Sequence, residues 1–128
     1  MDYVTDTHSL VWYFTDDSRL SSNALIAFQT AEVEGTIFVP AVVLAEIMFI
    51  SRKGRIAISF EETLRRIEES GSFEIVPLNA EILRTADRIE ADLEMHDRLI
   101  AATALHNSSS LITKDETLRE SRVVPTIW

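Results

Sequence analysis

Four carboxylates, Asp6, Glu46, Asp97 and Asp115, are the residues whose type and placement could do chemistry. Within "MHDRLIAATALHNSSSLITKDETL" (residues 95–118), Asp97 heads an apolar helical run and Asp115 lies just beyond a short β-like run. Each acid has an ordinary reading. Asp is a preferred helix N-cap, worth about 1 kcal/mol, which suits Asp97. Asp115 could cap the turn "ETLRE", and Asp6, after "DYVT", could close a strand in an Asx turn. Glu46 is harder to explain that way. Nine of the ten residues in "AVVLAEIMFI" are apolar, so a helix there is expected to be buried nearly all round. A buried ionised carboxylate has to be paired, metal-bound or protonated. Arg52 and Lys53, on the next turns, offer a plain ion pair.

If the four acids share a pocket, its chemistry is narrow. Two bare charges about 4 Å apart repel by roughly 4 kcal/mol at an effective dielectric constant of about 20. A compensating cation is therefore expected. Hard oxygen donors suit Mg²⁺ or Mn²⁺, one ion or two, rather than zinc, which prefers His or Cys. Metal-assisted hydrolysis of a phosphodiester follows: a phosphoryl oxygen is polarised, bound water attacks, and a carboxylate takes its proton.

The elements that must position these acids are readable. "DYVT", "TIFVP", "FEIVPL", "SLIT" and "VVPTI" read as strands. Between them lie helical runs: "HSLVWYFT", "LSSNALIAFQTAEVEG", "AVVLAEIMFISRK", "SFEETLRRIEES", "NAEILRTADRIEADL", "DRLIAATALHN" and a turn at "DETLRE". Ser59 with Glu62 is a capping-box pattern, and glycines close several of the helices. Short apolar strands alternating with helices imply an α/β fold, a mainly parallel five-stranded sheet sandwiched between helices. In such sheets ligands sit outside the carboxyl ends of the strands. Asp6, Asp115 and the start of the Asp97 helix all fall on that edge.

Composition sets the limits. The chain has 128 residues, 46% apolar and 26% charged, with three Gly, three Pro and no Cys. It reads as one domain over 1–128, without disulfides or thiolate metal sites. No signal peptide is evident, and no apolar run approaches the roughly 20 residues needed to cross a bilayer. A soluble, cytoplasmic protein is expected. The net charge of −9 argues against a general nucleic-acid binder but not against an enzyme that handles a polyanion through a metal-loaded pocket.

"VTDTHSLVWYF", "VPAVVLAEI", "HDRLIAATAL" and "LITKDETL", with the closing "VVPTIW", resemble the motifs of PIN-domain ribonucleases, most closely the VapC-type toxins of toxin–antitoxin pairs. The likeness runs from the first strand to the last residue. It implies a PIN-like three-layer α/β/α sandwich, a homodimer, endonuclease activity on RNA, and a cognate antitoxin that inhibits by occupying the active-site groove. The family's acidic quartet falls on Asp6, Glu46, Asp97 and Asp115, and Thr113 matches a supporting hydroxyl; its plain alternative is a strand Thr facing outward. Many relatives carry a longer Gly- and Pro-containing segment before the third motif, often with an extra acid. Here "RIEADLEMHDR" leads almost directly to Asp97, with Asp92 and Glu94 as replacements or as solvated helix charges.

Arg52, Lys53 and Arg55, in the basic cluster "SRKGR", are candidate phosphate contacts, or a solvated helix end. Arg98 could reach a scissile phosphate, or pair with Glu94 four residues earlier. His8 and His96 are expected to be structural, and Trp12, Tyr13 and Phe14 to be core or dimer contact. Rival readings are weaker. A phosphatase would want D-x-D where "DTH" stands, a receiver domain an Asp after "FEIVPL". The non-enzyme alternative is a catalytically silent PIN-like module that binds RNA or protein.

Overall fold

Strands this short have no stability alone, and with helices between them parallel pairing is the way to satisfy their backbone groups. The computed structural model describes residues 1–128. Its strands are β1 (Tyr3–Thr5), β2 (Ile37–Pro40), β3 (Phe73–Val76), β4 (Ser110–Ile112) and β5 (Thr126–Ile127). The helices are α1 (Thr7–Phe14), α2 (Ser22–Glu34), α3 (Ala41–Arg52), α4 (Phe60–Ser70), α5 (Ala80–Arg88), α6 (Met95–His106) and α7 (Glu116–Ser121). Every pairing is parallel and the order is β3-β2-β1-β4-β5.

β1 lies at the centre. Tyr3, Val4 and Thr5 are all buried although successive strand residues face opposite ways, so both faces of the sheet are covered. α2 packs on β2 and β5, while α6 packs on β1, β4 and α3. From β1 the chain first runs to β2 on one side and later returns to β4 on the other. The carboxyl ends of β1 and β4 therefore flank the point where strand order reverses, the place where open α/β sheets bind ligands.

Several local expectations are corrected. α3 is not buried all round. Val43, Leu44 and Ile47 are buried, but Ala45 is exposed and Phe49 is 60% exposed. Apolar composition says which residues could be covered, not which are. The ion pair of Glu46 with Arg52 or Lys53 does not form.

α5 ends at Arg88 rather than running through Leu93, because Ile89 and Leu93 turn into the core. The bend is held from a distance: the Arg98 guanidinium donates to the carbonyls of Ala86, Ile89 and Ala91 at 3.0, 2.7 and 2.9 Å. Arg98 thus faces backbone and does not pair with Glu94. α6 then starts at Met95, so its N-cap is Glu94 and not Asp97; Glu94 Oε1 accepts the Asp97 backbone N–H at 2.8 Å.

The Arg98 clamp is testable. Arg98→Ala leaves three carbonyls to find new donors and is expected to cost about 2 kcal/mol in urea unfolding. Arg98→Lys should recover only part of that, since an ammonium lacks the planar fork. Equal stability of all three proteins would show that the clamp contributes nothing.

Candidate active site

The site is built outward from Asp6, the residue that follows β1. Its backbone is extended and its N–H donates to Ile112 O at 3.2 Å, continuing the β1–β4 ladder. Its side chain then does two things. Oδ1 accepts the Ser9 N–H at 2.9 Å, capping α1, and Oδ2 accepts the Thr113 hydroxyl at 2.6 Å. Thr113 is fully buried just past β4, so the outward-facing alternative is excluded. Burial pushes the Asp6 carboxyl above its ordinary range, and the Ser9 and Thr113 hydrogen bonds pull it back.

Thr113 also relays this anchor. Its Oγ1 accepts the Asp115 backbone N–H at 3.0 Å, and Asp115 Oδ1 caps α7 by accepting the Leu118 N–H at 2.9 Å. Glu46, in the middle of α3, receives the hydroxyl of buried Thr7 on Oε1 at 2.6 Å. Asp97 sits in the first turn of α6, behind the Glu94 cap.

All four acids line one cleft of about 620 Å³, joined there by Glu94 and Glu116. Six carboxylates face the two imidazoles of His8 and His96 and one fixed positive charge, Lys114. The crowding is visible on Asp97. Its carboxyl is pushed up to about 6, first by burial and then by the charges of Asp115, Glu94, Asp6 and Glu46. A divalent cation would offset that repulsion, and an all-oxygen donor set suits Mg²⁺ or Mn²⁺. No three of these side chains meet at the spacing that encloses an ion. Mg²⁺ does not require that; it is commonly held by one or two carboxylates and keeps several waters.

Arg52, Lys53 and Arg55 are exposed at the far end of α3 and are not part of the cleft wall. Asp92 is exposed and also outside it, whereas Glu94 is on the wall. Sequence reasoning missed Thr7, Ser9 and Lys114. Thr7 and Ser9 lie within three residues of Asp6, and Lys114 directly precedes Asp115; that adjacency was the only available signal.

A protein-family model described as "PIN domain" matches residues 3–123. No curated protein matches the sequence. Among solved structures, VapBC2 from Rickettsia felis, bound to a promoter DNA fragment, aligns at TM-score 0.72 and 16% identity, covering 98% of this chain and 97% of that one. DNA-bound VapBC from Salmonella typhimurium aligns at TM-score 0.70 and 14% identity over 98% and 96%. VapBC-1 from nontypeable Haemophilus influenzae gives 0.68 and 16% over 98% and 96%. At these identities the likeness is one of fold.

The electrostatics of Asp97 carry a stability signature. Its folded-state carboxyl holds a proton up to about 6, above the roughly 4 of an unfolded chain. Its contribution to stability is thus present below pH ~4 and lost as pH rises through about 6. In EDTA, Asp97→Asn is expected to raise unfolding free energy at pH 7.5 by about 1 kcal/mol, well under the full shift because Asp97 is partly solvated. It should also flatten the decline between pH 5 and 7.5 seen in urea titrations. An Asn variant no more stable than the parent at pH 7.5 would contradict the repulsion described here.

Proposed function

The chain belongs to the PIN-domain family, and on that premise we propose that it is a metal-dependent endoribonuclease hydrolysing RNA phosphodiester bonds, the toxin of a toxin–antitoxin pair. One observation carries the reading. Asp6 and Thr113, 107 residues apart, are joined by a hydrogen bond where strand order reverses, and Glu46, Asp97 and Asp115 line the same cleft.

Asp6 and Asp97 would hold Mg²⁺ or Mn²⁺, one or two ions, with Glu46 and Asp115 supplying further oxygens. The bound cation supplies Lewis-acid polarisation of a phosphoryl oxygen and a water of lowered pKa. The chain's own residues do the rest. Ser9 and Thr113 fix both Asp6 oxygens, so its free lone pairs keep one direction. Thr7 fixes one oxygen of Glu46 and leaves Oε2 to orient the attacking water. Asp115, with Oδ1 committed to its helix cap, has Oδ2 free to accept that water's proton.

The partner reading follows from charge and from surface. A chain of net charge −9 with an acidic cleft suits a basic inhibitory segment, the part an antitoxin would play; one solved structure of similar fold is a toxin–antitoxin complex from Klebsiella pneumoniae. Exposed Phe49 on α3 and Leu83 on α5 are apolar surface that a second copy would cover in a homodimer. No helix is long and apolar enough to cross a membrane, which accords with action on RNA in the cytoplasm.

Purified protein, freed of any co-purifying partner, is expected to cut total cellular RNA in Mg²⁺ or Mn²⁺ and not in EDTA. Asp6→Asn and Asp97→Asn should each reduce the rate by on the order of a hundredfold or more, with sequenced ends giving the target. Metal binding without cleavage of any RNA would favour the silent binding module instead.

A further inference from the structure

The cleft poses a problem for its own substrate: six carboxylates line the surface that an RNA strand has to approach. Among the wall residues only Lys114 carries a fixed positive charge, and it forms an ion pair with none of the acids beside it. Its backbone is pinned on both flanks. Thr113 N–H donates to Ile127 O at 3.2 Å, and Asp115 N–H donates to Thr113 Oγ1 at 3.0 Å. Its side chain goes to Trp12, with Nζ 5.8 Å from the ring centroid, near the outer reach of a cation–π contact.

Trp12 is itself part of the cleft wall. His8 lies against it at 5.8 Å, and the Arg19 guanidinium lies over it at 5.1 Å. Arg19 is paired with Asp17 at 2.7 Å, which leaves Lys114 as the exposed, unpaired cation at this margin.

We propose that Lys114, steered by the Trp12 face, binds the RNA backbone phosphate next to the scissile bond and so brings a polyanion across an acidic cleft. This rests on the nuclease reading and adds to it a substrate-positioning residue that touches RNA outside the acidic quartet. An ammonium suits that task as a compact charge reaching phosphate from one side.

The test measures binding and turnover separately. A mixed-sequence 12-nucleotide RNA is titrated by fluorescence anisotropy across a salt series, in EDTA and an Asp97→Asn background, so that the RNA stays intact during the titration. Lys114→Gln is expected to weaken binding about five- to tenfold and to lower the salt slope by ~0.7, the loss of one single-strand phosphate contact. Lys114→Arg should retain most of the affinity. Arg84→Gln, which removes an equal charge from an exposed position on α5 away from the cleft, should change neither quantity. In the cutting protein Lys114→Gln should raise KM far more than it lowers kcat. Mn²⁺ affinity should stay the same or tighten, since a positive charge has been removed.

Unchanged RNA affinity in Lys114→Gln, an equal effect of Arg84→Gln, or weakened Mn²⁺ binding would overturn the assignment while leaving an active nuclease in place. A parent protein that neither binds nor cuts RNA would remove the nuclease reading and this proposal with it.

Discussion

The structure turns on keeping one nearly buried carboxylate satisfied. Asp6 sits where β1 ends against β4, and burying its charge without partners would cost more than a fold of this size can absorb. The solution uses both neighbours of the strand end: α1 turns back to offer the Ser9 N–H, and β4 offers the Thr113 hydroxyl. Because Thr113 also receives the Asp115 N–H, satisfying Asp6 fixes where α7 begins. Sheet order, two helix starts and the floor of the cleft are thereby set together.

The same economy recurs around the cleft. Asp6 caps α1, Glu94 caps α6 and Asp115 caps α7. Three helices thus point their N-termini at one place, each adding partial positive charge where carboxylates crowd. That softens the repulsion without abolishing it, as the raised Asp97 carboxyl shows. The acids proposed to do chemistry are also structural residues. They divide accordingly, with Asp6 placed mainly by its partners and Asp97 left under the strain of its neighbours.

Much of this was legible in the sequence, and the gaps have physical causes. The elements along the chain and the four acids could be read because Asp6 and Asp115 follow strand-like runs, Asp97 heads an apolar helical run, and Glu46 is the one charge in an otherwise apolar helix. Asp115 as a cap was readable from the residues that follow it. Asp97 as a cap was not, since Glu94 competes for the same turn and only packing decides between them. The end of α5 was invisible for a related reason: "RIEADL" is compositionally good helix, and what stops it is a guanidinium twelve residues away at Ala86. The exposure of Phe49 was hidden because an apolar helix reads alike whether the protein itself or a partner covers it. Thr7 and Lys114 carry no spacing pattern at all; they matter through neighbours that only the fold brings near.

The indole of Trp12 touches one more group, and this has an optical consequence. The chain has two tryptophans, and the other, Trp128, lies 5.9 Å from Trp12, its backbone oxygen tethered by the Asn23 side chain. All indole emission therefore comes from one close pair, of which Trp12 lines the cleft. Excited near the red edge of its absorption, the protein carries a built-in light source beside its own site. A quencher entering that space, or a strand laid across Lys114, would register without any label.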